Sequence, residues 1–189
     1  MWVKLQVSVI TIRRLKNVRR ILGPTITSRL VSAFIMSHLD YCNPQLTGLP
    51  QSSIVQLQRV QNTAVRLTSN LRPHDKISAS LCELHWLPIQ HQIIYKLCLM
   101  MNTAHIRRSP HYVTKMLTVT EHLPNRNRLR LSASTRYELS TLRRKIGERT
   151  FAYSGHASWN SLPSGITSII DTPTLAHLKR HLFRLAYDL

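Results

Sequence analysis

Apolar positions along this chain recur mostly at intervals of three and four, the period of a helix that buries one face. The first such pattern begins near Ile10 and places Leu15, Val18 and Leu22 on one stripe, with Arg13, Lys16 and Arg20 on another side. Residues 1–9 show no clear pattern. Gly23-Pro24 closes this helix, and Thr25 or Thr27 is placed to cap the next, whose Ile26, Leu30, Phe34 and Ile35 point inward as far as Leu39. A Pro-containing break and Gly48-Leu49-Pro50 follow, after which Ser52 or Ser53 can accept a hydrogen bond from a first-turn N–H. Ile54, Leu57, Val60, Ala64 and Leu67 then share a face, and Arg59 and Arg66, seven apart, form a separate basic line.

A short helix is expected over Ser78 to His85, ended by Trp86-Leu87-Pro88, with Pro88 suited to the first turn of the next. Ile89, Ile93, Leu97 and Met101, joined by Ile94 and Cys98, make that next helix the most apolar one. Tyr112, Val113, Met116 and Leu117 fit one short helix. From Thr118 the period changes: Arg126, Arg128 and Arg130 alternate with Leu129 and Leu131, an extended pattern. A tight turn is expected at Trp159 to Pro163. A final helix follows, capped by Thr172 and opened by Pro173, with Leu175, Leu178, Leu182 and Leu185 inward and Lys179, Arg180 and Arg184 elsewhere. Trp86 and Trp159 are expected to anchor turns against the core rather than to stack on bases. The expected fold is mainly α. It comprises a helical domain at 10–117, a basic and partly extended segment at 118–154, and a C-terminal turn and helix at 155–189 that pack back on the core.

Charge changes the picture more than composition does. The 189 residues are 43% hydrophobic, enough for a core, and argue against disorder throughout. Against 26 Lys and Arg stand 8 Asp and Glu, a net of +18. Such an excess repels itself and suits a polyanionic partner, nucleic acid before a membrane surface. Positions 101–150 alone hold 11 basic and 3 acidic residues. No apolar run approaches the ~20 residues that cross a bilayer. The first apolar stretch, Leu5 to Ile10, is too short and polar for a signal peptide, so the expected compartment is intracellular, nucleus or cytoplasm. Cys42, Cys82 and Cys98 are isolated within helical patterns, and buried thiols are expected rather than a disulfide framework.

Several blocks together resemble a known family. Leu39-Asp40-Tyr41-Cys42-Asn43, Gly48-Leu49-Pro50 and the run LQRVQNTAVRL from Leu57 to Leu67 are similar to the C-terminal region of reverse transcriptases of non-LTR retrotransposons, the Jockey and chicken-repeat type of LINE element. ELHWLPIQHQIIYKL (Glu83 to Leu97), GERTF (Gly147 to Phe151), WNSLPSGI (Trp159 to Ile166) and LKRHLF (Leu178 to Phe183) continue the likeness in the family's order, from about Leu15 to the C-terminus. The loop Ile106 to Pro110 departs from the family's short Gly-containing turn by losing the glycine. The resemblance implies the helical thumb of an RNA-directed DNA polymerase and the region beyond it. Template RNA or an RNA–DNA hybrid is the implied ligand, and the palm of the polymerase a possible protein partner.

Polymerase chemistry needs carboxylates around two metal ions about 3.5–4 Å apart. The family carries them on an aromatic-x-Asp-Asp motif, and here Asp40, Asp75, Asp171 and Asp188 are widely separated with no Asp-Asp pair. The chain is therefore expected not to polymerise by itself, and no catalytic residue is assigned. His38 with Cys42, and Cys82 with His85, have helical ligand spacing. The pairs lie far apart and lack the CxxC form, so no metal or other cofactor is expected. Nor do the five glycines cluster into a phosphate loop. Phosphate neutralisation on RNA, DNA or an RNA–DNA hybrid remains, by Arg13, Lys16, Arg20, Arg59, Arg66, Arg126, Arg128, Arg130, Arg143, Arg144, Lys145 and Arg149. The alternatives are a helical protein-interaction module or a decayed, non-functional reading frame.

Overall fold

A computed structural model describes residues 2–41, 43–106, 108–117, 137–139, 146–167 and 173–187. The regular elements among these residues are helical, as the periodicity predicts. They are α1 (Trp2–Val31), a π turn (Ser32–Met36), α2 (Ser37–Asp40), a 3-10 turn (Asn43–Leu46), α3 (Gln51–Ser69), α4 (Ser78–Glu83), α5 (Ile89–His105), α6 (His111–Thr114), a 3-10 turn (Gly147–Arg149), α7 (Phe151–Asn160), α8 (Ser164–Thr167) and α9 (Pro173–Tyr187).

Two compact units divide the chain: Met1–Gln92 with Phe183–Leu189, and Ile93–Leu182. The division falls inside α5 and α9. In the first unit α1 packs mainly against α3. Helix begins at Trp2, not near Ile10, and Leu5, Ser8, Ile12 and Leu15 make its buried face. Val18, expected inside, is 40% exposed. The helical path breaks at Gly23, whose φ of 73° and ψ of 171° suit glycine alone, and Pro24 restarts it.

Beyond that break the buried line is Thr27, Val31, Ile35 and Leu39. Ile26 and Phe34, expected inward, are about half exposed. The Thr27 hydroxyl does not cap; it donates to the Gly23 carbonyl at 2.7 Å. Likewise neither Ser52 nor Ser53 caps α3, which starts after Pro50 without a side-chain cap. All five apolar positions expected inward on α3 are buried. The helix ends on Asn70 in the left-handed conformation, and the Leu71 N–H reaches back to the Arg66 carbonyl.

A network of carboxamides ties α3 to the chain around Leu87. Gln61, fully buried, donates to the Leu87 carbonyl at 2.8 Å, and Gln92 donates to the same oxygen at 2.7 Å. Gln58 donates to Gln61 and Asn62, and accepts from the Ile89 N–H at 2.9 Å. Asn43 extends the network by donating to Gln92 and Asp40. Nearby, the Phe183 ring sits between His85 and Tyr187, and the Tyr187 hydroxyl donates to the Trp86 carbonyl. Burial raises the Tyr187 hydroxyl's pKa above its usual range, with the Cys82 thiol adding to the effect.

The second unit centres on Leu97, Cys98 and Met101 of α5, with Trp159, Leu162, Leu178 and Leu182. Burial pushes the Cys98 thiol up to about 12, so it acts as a packing group rather than a nucleophile. Gly155 allows α7 to approach α5: a Cβ there would lie 2.9 Å from Met101 Sδ. The expected inward Leu185 is 58% exposed, and Tyr112 and Met116 are also exposed. The segment expected to stay extended as far as 154 contains the 3-10 turn at Gly147–Arg149 and, after an extended Thr150, the start of α7 at Phe151. Thr172 and residues 118–136 and 140–145, which carry the expected cap and the alternating Arg-Leu pattern, lie outside the described residues.

Candidate nucleic-acid interface

The α1–α3 seam gathers cations that sequence separates by more than forty positions. Arg13 of α1 and Arg59 of α3 line one groove of about 690 Å³, floored by Leu5, Val9, Ile10 and Val60. About two turns further along both helices, Lys16 and Arg19 of α1 and Arg66 of α3 line a second hollow of about 350 Å³. Because residues 5–13 meet 56–60 and residues 12–19 meet 63–70, the helices run in the same direction. Their cations therefore follow one another along a single seam.

Two of these cations are also held by the end of α3. Arg19 donates to the Asn70 carboxamide at 2.5 Å, and Arg66 donates to the Pro73 carbonyl at 3.0 Å. Positive charge there also complements the negative end of the helix dipole. A guanidinium carries five N–H donors, so each keeps capacity for an anion. Arg66 Nε is buried and lacks a hydrogen-bond partner among the described residues, an orphaned donor beside the hollow.

Of the residues expected to contact phosphate, Arg13, Lys16, Arg59 and Arg66 thus converge. Arg20 is exposed on α1 but lines neither hollow, and Arg149 is exposed on its 3-10 turn in the other unit. Arg126, Arg128, Arg130, Arg143, Arg144 and Lys145 lie outside the described residues. Arg19 escaped the sequence reading. Its signal was the spacing Leu5, Ser8, Ile12, Leu15, Arg19, Leu22, which continues the buried face of α1 to the edge of the seam.

A second cluster, in the other unit, was also missed. The Asn160 side chain clasps the Tyr137 backbone from both sides, accepting from its N–H at 3.0 Å and donating to its carbonyl at 2.8 Å. The Tyr137 ring stacks on His156 with centroids 5.0 Å apart, meets Trp159 edge-on, and its hydroxyl pairs with His105 Nδ1 at 2.7 Å. Burial lifts that hydroxyl to about 12. Burial lowers the pKa of His156, against a weaker opposing pull from the Glu138 carbonyl and carboxylate. With Nδ1 donating to the Glu138 carbonyl, Nε2 is buried without a partner.

No group of His, Cys, Asp and Glu able to hold a metal occurs among the described residues, which exclude Cys42. No described helix is long and apolar enough to cross a membrane. No family model, curated protein or solved structure matches this chain.

Proposed function

We propose that this chain is the thumb and following region of a LINE-type RNA-directed DNA polymerase, without its catalytic palm. In this reading it grips RNA or an RNA–DNA hybrid through phosphates, with little selectivity for sequence. The observation that supports gripping is the alignment of Arg13, Lys16, Arg59 and Arg66 along one seam. Reverse transcription rests on the resemblance alone, carried by LDYCN, LQRVQNTAVRL and WNSLPSGI. By itself the chain lacks an Asp-Asp pair and is proposed not to polymerise.

Each phosphate neutralised releases condensed counterions, so affinity falls steeply as salt rises. For four such contacts, a fourfold rise in salt lowers affinity by roughly a hundredfold. Titrating a labelled RNA–DNA hybrid over that range checks the reading. Absent binding at low salt, or affinity indifferent to salt, overturns it.

A further inference from the structure

Helix α1 is apolar on two sides. Its buried line is Leu5, Ser8, Ile12 and Leu15, yet Val7, Ile10, Val18 and Ile21 are also regularly placed and remain exposed, Ile21 at 84%. With Arg14 they follow steps of three, four, four and three, a heptad-like stripe. At about 100° per residue that stripe lies roughly 140° round the helix from the buried line. Ile10 also borders the groove of Arg13 and Arg59, whereas Val7, Val18 and Ile21 line neither cationic hollow.

We infer that this stripe docks an acidic amphipathic helix of a partner protein. The charge around it selects that occupant. Arg14 lies within the stripe, Arg13 and Arg20 lie about 100–120° round the helix from its middle on one flank, and no Asp or Glu precedes Asp40 in the sequence. A second copy of the same helix would set like charges against one another, which excludes self-pairing on this face. Arg14 stands on the stripe itself, between Ile10 and Val18. A bilayer would have to desolvate that guanidinium amid the inserted aliphatics, whereas a carboxylate on a facing helix pairs with it. Leucines of the partner cover Val7, Ile10, Val18 and Ile21, while one of its glutamates pairs with Arg14 and others face the flank of Arg13 and Arg20.

The test uses the full chain and a labelled synthetic helix of about three heptads, with leucine at the inward positions and glutamate on either side. Binding is compared with that of a peptide of equal negative charge lacking the leucine stripe, and with vesicles of phosphatidylcholine and phosphatidylserine. The expected result is tighter binding of the amphipathic peptide, weakened at least about tenfold in the double variant Val18→Gln/Ile21→Gln, whose two positions line neither cationic hollow, with hybrid affinity unchanged. Circular dichroism confirms that the variant keeps its helix content. Equal binding of both peptides, no loss in the double variant, or vesicle binding that depends on Val18 and Ile21 while the peptide fails to bind, overturns the proposal.

Discussion

Gln61 shows how much one polar side chain contributes to the first unit. It is fully buried on α3, and its amide meets the Leu87 carbonyl while its oxygen accepts from Gln58. Truncation in Gln61→Ala removes those bonds and leaves a cavity, so stability to urea should fall by about 2–4 kcal/mol. Gln61→Leu refills the volume, and Gln92 still serves Leu87, so it should cost less; equal losses, or none, would contradict this role. His156 makes a second residue-scale prediction. Its folded pKa lies below the ordinary 6.5 because burial disfavours the cation. The unfolded chain therefore binds the proton first, and this part of the stability is present above pH 6.5 and lost as pH falls toward the folded pKa. Thermal melts of His156→Gln should decline less than wild type between neutral and mildly acidic pH. Parallel declines would assign the acid sensitivity elsewhere, His91 being another histidine among the described residues whose pKa burial lowers.

Among the elements, α3 and α5 are legible from sequence because their apolar period continues unbroken from end to end. All five expected core positions of α3 are buried, as are Ile89, Ile93, Leu97 and Met101 on α5. The stretch after Gly23 was misread by one position. A glycine turn resets the phase of the helix that follows it, so Thr27 and Val31 face inward where Ile26 was expected. A spacing of four also drifts about 40° per turn on an α-helix, and the wider π turn at Ser32–Met36 absorbs part of that drift before Leu39. Thr27 is polar but satisfied by its bond to Gly23, and polarity alone had placed it at a cap. Gly23 itself carries the element-scale prediction. No heavy atom crowds its Cβ position, so Gly23→Ala acts through the backbone and should destabilise by about 1–3 kcal/mol. A neutral result by denaturant melt would mean that the turn tolerates an ordinary residue.

On the scale of the molecule, the blocks that suggested a retroelement polymerase serve first as glue. Asp40 and Asn43, then Gln58, Gln61 and Asn62, then Leu87, Ile89 and Gln92 belong to three separate blocks, yet they join in one carboxamide network. Sequence displayed these residues as motifs but not as partners, because hydrogen bonds between distant segments leave no period to read. The candidate interface was legible in the same partial way. Arg59 and Arg66 stood out as a line and Arg13 with Lys16 as another. That the lines meet depends on α1 packing beside α3 in the same direction, which charge patterning does not encode. Tyr137 is illegible in the same way, since a lone tyrosine beside a basic run announces neither its clasp by Asn160 nor its stacking on His156.

The seam as a phosphate grip is the claim on which the functional reading depends. It is tested most directly by comparing how hybrid affinity depends on salt in the wild-type chain and in the quadruple variant Arg13→Gln/Lys16→Gln/Arg59→Gln/Arg66→Gln. Removing four phosphate contacts should flatten the slope of log affinity against log salt by roughly 3–4. Slopes that coincide, with affinity preserved, would contradict the account and move any nucleic-acid contact away from α1 and α3.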